Sequence, residues 1–252
     1  MTGVLKEIWR DPVKSLSGEQ LQSVPLEPGK RLPEDRRFAI VKGGGSVEPG
    51  VTAWASKRSF FNLMSDEKLA TLDASYLAED GTLTLMRDGR QVARGKATEP
   101  LGRMLIDQFL GAFLGGAGVS PRLVESAGGA FTDVEEPFVS LINLASLKDL
   151  ERVLGQAADP RRVRGNLLLE GPLPWVERNW VGKRLRIGEL EMSVAEPIER
   201  CAATEVHPDK GLRDLPVLKS LARGFAHMEM GVYARIEKGG LLKAGDPLEI
   251  LD

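Results

Sequence analysis

What most restricts the fold of this chain is the brevity of its apolar runs, which glycine and turn residues break again and again before a long helix can form. Strands are expected at residues 4–9, 38–41, 69–77, 82–86 and 91–95, the last following a turn signal at Asp88-Gly89. Further strands are expected at 163–169, 184–187, 191–194, 232–236 and 247–251. Three segments carry helical periodicity. The first begins near Thr98, has Pro100 in its first turn, shows an apolar stripe of Met104, Leu105, Phe109 and Phe113, and stops at Gly115-Gly116. The second has Ser146 as its N-cap and Gly155 as its stop, with Leu147, Leu150, Val153 and Leu154 between. The third starts at Asp214, with Val217, Leu218 and Leu221 facing inward. Strands outnumber helices and do not alternate with them, which argues against a doubly wound sheet. The expectation is an α+β, β-rich, barrel-like protein. Its helical, glycine-rich stretch at 95–135 marks the boundary between residues 1–95 and 96–252.

Composition closes off several functions. A net charge of -2 gives no bulk attraction to nucleic acid. One cysteine excludes an internal disulfide, a four-cysteine zinc site and a cysteine-ligated iron–sulfur cluster within the chain. His207 and His227 are the only histidines, so a histidine-rich metal site is excluded too. No run approaches the roughly 20 apolar residues of a membrane helix, and the first residues lack the pattern of a signal peptide. These features lead to the expectation of a cytoplasmic protein without a membrane or nucleic-acid partner. Gly43-Gly44-Gly45 lacks the Lys-Ser/Thr pair and following helix of a phosphate loop, and reads as a hairpin or flexible loop. Arg161, Arg162 and Arg164 read as a solvated face or an anion-binding cluster.

Residues 197–214 are the most informative segment: Pro-Ile-Glu-Arg-Cys-Ala-Ala-Thr-Glu-Val-His-Pro-Asp-Lys-Gly-Leu-Arg-Asp. A thiol at the end of a strand is followed by a Pro-Asp-x-Gly turn, with Arg200 beside it and Arg213 beyond. A thiolate is a good ligand for a soft or sulfur-bearing transition-metal centre, and a neighbouring guanidinium favours the thiolate. The ordinary role of a lone cysteine is that of a small buried hydrophobe.

The run from Glu199 to Gly211 resembles the Arg-Cys-x-x-Thr-x-Val-Asp-Pro-x-Thr-Gly signature of the MOSC superfamily, which includes molybdenum cofactor sulfurases and amidoxime reducing components. The resemblance continues through Leu218-Lys219, Gly231-Val-Tyr and the closing Gly245-Asp246-Pro-Leu, and upstream through Arg164-Gly-Asn166. Pro12-Val-Lys14-Ser15 and Asp35-Arg36-Arg37-Phe38 resemble elements of the MOSC N-terminal β-barrel.

This resemblance implies a MOSC N-terminal β-barrel-like domain and a MOSC β-barrel with peripheral helices, with molybdenum cofactor between them. It makes Cys201 the molybdenum ligand and catalytic residue, and gives the cofactor's phosphate to Lys14, Ser15 and Arg36. Arg164 and Asn166 match positions on the pterin side, and Asn143 and Ser146 stand where the family has serines. Arg200 flanks the ligand; Thr204 and Asp209 shape the turn behind the metal. His207 departs from the family's Asp, residues 30–33 replace a glycine-containing approach to Asp35, and Trp54-Ala-Ser-Lys57 replaces a Thr-x-Arg element, with Lys57 or Arg58 as the substitute cation.

The function implied is reduction of N-hydroxylated or N-oxidised small molecules, with electrons from a separate donor protein. Two alternatives use the same fold. One is a sulfur or molybdenum-cofactor carrier with a Cys201 persulfide; the other is a non-catalytic small-molecule-binding barrel. A pyridoxal phosphate enzyme is disfavoured, since nothing marks Lys14, Lys148 or Lys219 as a Schiff-base lysine.

Overall fold

The structure is a computed structural model that describes residues 3–42, 55–116, 120–126 and 129–251. The chain begins with β1 (Gly3–Arg10), β2 (Glu19–Leu21), β3 (Ser23–Leu26) and β4 (Phe38–Val41). Then come β5 (Asp73–Leu77), β6 (Thr82–Arg87), β7 (Arg90–Lys96), α1 (Pro100–Leu114) and β8 (Arg122–Glu125). The second half holds β9 (Val139–Asn143), α2 (Leu144–Leu154), β10 (Leu167–Glu170), β11 (Arg184–Ile187) and β12 (Leu190–Glu199). It ends with α3 (Val217–Phe225), β13 (Glu229–Lys238), β14 (Gly240–Lys243) and β15 (Pro247–Ile250).

Seven strands close into a barrel in the order β10-β9-β13-β12-β11-β15-β1, with β1 pairing back onto β10. Only β9 and β10 run parallel; the other neighbours are antiparallel. Alternation along each strand sends Leu5, Leu141, Leu167, Leu185, Met192, Val232 and Leu248 into the barrel, where Trp180 joins the same core. Closure leaves no free edges within the ring. β3 and β14 form a separate ribbon. The N-terminal half builds its own core from the β4–β8 pair, the β5-β6-β7 meander and α1, around Phe38, Ile40, Leu72, Leu83, Leu85 and Ile106. α2 and α3 cover the outside of the barrel through Leu147, Leu150, Val217 and Leu221, against Ile142 and Leu168. β1 and β3 precede residue 96 in sequence yet pair with strands of the C-terminal half, and β2 joins the same sheet through β1.

Several expectations meet the structure directly. Asp88 and Gly89, at φ 49° and 73°, form the two-residue loop between β6 and β7, as a hairpin turn with two left-handed residues requires. Gly155 ends α2 at φ 74°. Others are corrected. In α1 the buried face is Gly102, Ile106, Leu110 and Leu114, whereas Met104 and Leu105 are exposed. A close approach sets that rotation: a Cβ on Gly102 would sit 2.2 Å from the Lys96 carbonyl oxygen of β7. α2 is capped by Asn143, whose Oδ1 accepts from the Ala145 N–H at 3.0 Å, so Ser146 lies inside the helix rather than at its cap. α3 begins at Val217, not Asp214, because Pro216 disfavours a helical Leu215. The runs at 69–77 and 163–169 each open in a 3-10 turn, and only Asp73–Leu77 and Leu167–Glu170 are strand. β12 and β13 run well beyond their apolar centres, carrying charged residues past register shifts. Gly43-Gly44-Gly45 and Trp54 lie outside the described residues.

Because the helix backbone touches β7 at Gly102, Gly102→Ala is expected to destabilise the protein by about 1–3 kcal/mol through overpacking. Leu105→Ala, on the exposed face, should cost well under half as much. Urea denaturation of the two variants checks the assignment of the buried face.

Candidate functional site

Two connections place the first side chains of the site. After β1 the chain passes Asp11 and Pro12, and Lys14 N–H donates to the Phe38 carbonyl at 2.8 Å, binding this segment to the start of β4. Arg36 N–H donates to the Asp11 carbonyl at 2.6 Å. Ser15, Arg36 and Arg164 all hold left-handed backbone, at φ 71°, 50° and 49°. This region is costly for residues with a Cβ.

Charge then organises the cluster. The Asp11 carboxylate lies 2.9 Å from both Arg36 and Arg164, and Arg36 also pairs with Asp35. Burial works against the Arg36 charge, but Asp35 and Asp11 more than offset it and keep its pKa above the usual arginine range. Burial lowers the pKa of Arg164 against the pull of Asp11. Lys14 donates to Asp133 at 2.5 Å and to the Phe131 carbonyl at 2.8 Å; burial lowers its pKa while Asp133 opposes the change.

On the other side, β12 ends at Glu199 and delivers Arg200 and Cys201. The Arg200 guanidinium donates to the carbonyls of Met230 and Val163 and has no carboxylate partner among the described residues. Burial pushes its pKa down to about 10. Cys201 is half-buried. Thr204 N–H and Oγ1 both donate to the Cys201 carbonyl, at 3.1 and 2.9 Å, folding the next residues into a 3-10 turn. His207 Nδ1 accepts from Asp209 N–H at 3.1 Å. This is the bond to the second residue onward that an aspartate makes in such turns, so histidine serves there in place of the family's acid.

These two sides enclose a cavity of about 420 Å³. Of the residues expected at the site, Lys14, Ser15, Arg36, Arg164, Asn166, Arg200, Cys201 and Thr204 all line it. Lys57, one of the two candidates for the missing cation, also lines it, whereas Arg58 does not. The other expected residues are placed elsewhere. Asn143 donates to Glu177 at 2.8 Å and to the Leu173 carbonyl at 2.8 Å. Ser146 donates to Glu177 at 2.6 Å and accepts from Trp175 N–H. Both therefore anchor the segment that follows β10. Asp209 pairs with Arg161 at 2.8 Å on the surface.

The sequence did not single out a polar row across the barrel wall. Glu196 faces Tyr233 and Tyr233 faces Ser140 in strand register, and Ser140 Oγ donates to Asn166 Oδ1 at 2.9 Å. The strand neighbours of Tyr233 and Ser140 fill the barrel, so alternation points these two out into the cavity, which Glu196 and Asn166 also line. The Gly231-Val-Tyr motif pointed to Tyr233, but only strand pairing reveals the row.

The cavity thus brings Lys14, Arg36, Arg164 and Arg200 together with one thiol and with the carboxylates of Asp133, Glu196 and Glu199, a donor set chemically suited to an anionic group on its cationic side. Residues 129–249, just under half of the chain, match the family model described as "MOSC domain". It is 35% identical over 97 residues to "Molybdenum cofactor sulfurase 2" of Culex quinquefasciatus, covering 36% of this chain and 12% of that protein. It is 32% identical over 124 residues to "Mitochondrial amidoxime reducing component 2" of Rattus norvegicus, covering 44% of this chain and 36% of the relative. The chain thus aligns with well under half the length of these curated relatives. Among solved structures, the YUAD protein from Bacillus subtilis aligns over 99% of this chain and 96% of its own, at 13% identity and a TM-score of 0.49. No described helix is long and apolar enough to cross a membrane.

Two measurements check this electrostatic frame. Asp11→Ala removes the carboxylate shared by two partly buried arginines, and is expected to cost about 3 kcal/mol. Part of that loss should return when inorganic phosphate is added during urea denaturation, because an anion can replace the missing charge. The second concerns Glu177, whose pKa burial raises against its hydrogen bonds from Ser146 and Asn143. The folded protein holds this proton to higher pH than the unfolded chain does. The associated stability is complete below the ordinary glutamate range and is lost as pH rises through the folded pKa. Glu177→Gln should therefore flatten the decline of the urea midpoint as pH rises above the ordinary glutamate range; parallel profiles would refute the assignment.

Proposed function

We propose that the cavity binds molybdenum cofactor and that the protein is an oxidoreductase acting on N-hydroxylated or N-oxidised small molecules. One observation carries this reading: Cys201 shares its cavity with Lys14, Ser15 and Arg36. A soft thiol and a phosphate-type cation cluster thus face one volume.

The residues fit such a group. Half-buried Arg200 has only carbonyl partners, and the Lys14 and Arg164 charges are held against the cost of burial. An anion entering the cavity relieves both conditions. Lys14, Ser15 and Arg36 would hold the phosphate, Arg164 and Asn166 the pterin side, and the Cys201 thiolate the metal. No described group of three or more His, Cys, Asp or Glu side chains could hold a metal by itself. A metal at Cys201 takes its other ligands from the cofactor it arrives with. When bound, the cofactor supplies a redox centre able to accept an oxygen atom from nitrogen.

The chain's own residues do the rest. Arg200 supplies positive charge beside Cys201. The Thr204 bonds to the Cys201 carbonyl fix where the sulfur leaves the backbone. Arg36 donates to the Arg164 carbonyl at 2.8 Å, holding the two cationic loops together. Leu63, Met64 and Phe138 on the cavity wall limit the water around the ligand. Electrons come from a separate donor protein.

Metal and pterin content of protein purified anaerobically from a cofactor-competent host tests the proposal, with Cys201→Ser prepared in parallel. The expected result is molybdenum and pterin near one per chain in the native protein, with molybdenum falling at least about tenfold in the variant. If the native protein takes up neither, even from free cofactor, the oxidoreductase reading fails. A Cys201 persulfide found by mass spectrometry would instead support the sulfur-carrier alternative.

A further inference from the structure

The turn that carries Cys201 and the loop facing it belong to opposite halves of the molecule. On the barrel side, the 3-10 turn Ala202–Glu205 follows the thiol. On the N-terminal side, residues 62–65 place Leu63 and Met64 on the cavity wall that also holds Cys201 and Ala203. Leu63 is buried, whereas Met64 is 40% exposed and stands at the cavity's edge. Its internal hydrogen bonds run from Asn62, whose Nδ2 donates to the carbonyls of Lys57 and Phe60 and whose Oδ1 accepts from Met64 N–H, while Leu63 packs in a core shared with Val206.

One side chain joins the loop to the thiol's turn. Arg213 Nη1 donates to the Ala202 carbonyl at 2.6 Å. Its Nη2 donates to the carbonyls of Leu63 and Met64, at 3.1 and 2.8 Å. Among the described residues, these are the hydrogen bonds that connect residues 62–65 to the barrel half. The base of Arg213 is fixed by a β-bridge between Val206 and Arg213, so the guanidinium projects from a closed turn. That turn is itself seated against the N-terminal half: Gly211, at φ 59°, comes so close to residues 67–71 that a Cβ would lie 2.8 Å from Thr71 Cγ2.

We propose that Arg213 is a positioning residue that sets the aperture over Cys201 by fixing the Leu63–Met64 wall relative to the thiol, and so limits the size of ligand that reaches the sulfur. A planar fork with several fixed donors can span two chain segments at once; a lysine ammonium keeps the charge but not that geometry. Arg213 Nη1 also lies 3.9 Å from Glu205 Oε2, a charge contact that lysine could keep, so the lysine variant separates the shape of the guanidinium from its charge. Without the clamp, residues 62–65 lose their hydrogen bonds to the barrel half while keeping their internal ones, and the wall opens locally without unfolding. The inference rests on the reading of Cys201 as the business end of the cavity, but its test does not require bound cofactor.

Cys201 is the only cysteine in the chain, so thiol labelling reads this site without ambiguity. The experiment compares the rate of modification by iodoacetamide, a small reagent, with that by fluorescein maleimide, a bulky one. It uses the full chain as wild type, Arg213→Ala and Arg213→Lys, with Cys201→Ser as the blank. The expected result is a bulky-to-small rate ratio that rises about fivefold or more in both variants. The iodoacetamide rate should stay within about twofold of wild type. The proposal is overturned if the ratio is unchanged, or if both reagents accelerate equally, which would report general loosening. It is overturned as well if Arg213→Lys keeps the wild-type ratio while Arg213→Ala does not, since charge alone would then suffice. Should Arg213→Ala fail to fold, the lysine variant carries the test. Failure of the metal-ligand reading shows instead as unchanged molybdenum content in Cys201→Ser.

Discussion

The carboxylate of Asp11 is the point on which both the fold and the site depend. It stands just beyond β1, the strand that closes the barrel, and meets one arginine from the N-terminal half and one from the loop before β10. Its backbone is engaged as well: the Asp11 N–H donates to Asp35 at 2.8 Å and its carbonyl accepts from Arg36. Two guanidiniums cannot be withdrawn from water at this junction without a counter-charge. One carboxylate shared between them holds the halves together yet does not cancel the charge. With Lys14 and Arg200 added, the cluster has four cations against the carboxylates of Asp11, Asp35 and Asp133. The surplus faces the cavity, so the force that joins the halves also prepares a place for an anion.

Backbone strain tells the same story. Left-handed backbone at a residue with a Cβ costs on the order of 1 kcal/mol or more, and glycine would adopt it more cheaply. Ser15, Arg36 and Arg164 nevertheless take it, and all three line one cavity. Glycine could make these bends, but it could not supply a hydroxyl or a guanidinium at the cavity wall. Glu34, Asp88, Trp175 and Ala226 take the same conformation away from the cavity, so left-handed backbone alone does not mark the site. At Ser15, Arg36 and Arg164 it coincides with a polar side chain on the cavity wall.

Much of this was legible in the sequence, for reasons that differ by residue. The β6–β7 hairpin was readable because Asp88-Gly89 imposes a local conformation. The end of α2 was readable because Gly155 does the same. The buried face of α1 was not, since it is decided by a backbone contact between Gly102 and β7 that no periodicity contains. At the site, Lys14, Arg36 and Cys201 stand in short motifs, and folding brings them to one cavity. Asn143 and Ser146 also stand at motif positions. Their polar atoms turn instead to Glu177, a carboxylate more than thirty residues away whose burial the sequence does not announce. The Glu196-Tyr233-Ser140-Asn166 row was hidden for a related reason: it exists only through the register of four segments.

That row gives the cavity a direction. Ser140 and Asn166 are buried, while Glu196 is exposed and Tyr233 lies between them. The cations Lys14, Arg36 and Arg164 gather toward the buried end, and the exposed carboxylates of Glu196 and Glu199 belong to the outer wall. Burial raises the Tyr233 pKa against the pull of Arg200, so its hydroxyl keeps its proton and acts as a neutral hydrogen-bonding group between the two regions. On the proposed reading an anionic group would sit on the cationic side, while the outer wall presents acidic side chains and the Tyr233 ring stacked at 5.8 Å on Phe138, with Arg235 over the Phe138 ring. Cys201 follows directly on Glu199 and Arg200, where the acidic outer wall gives way to the cationic interior. A thiol placed at that change of sign can touch a deeply held anion on one side and an arriving molecule on the other. The order of charges along β12, rather than any single residue, is what makes this possible.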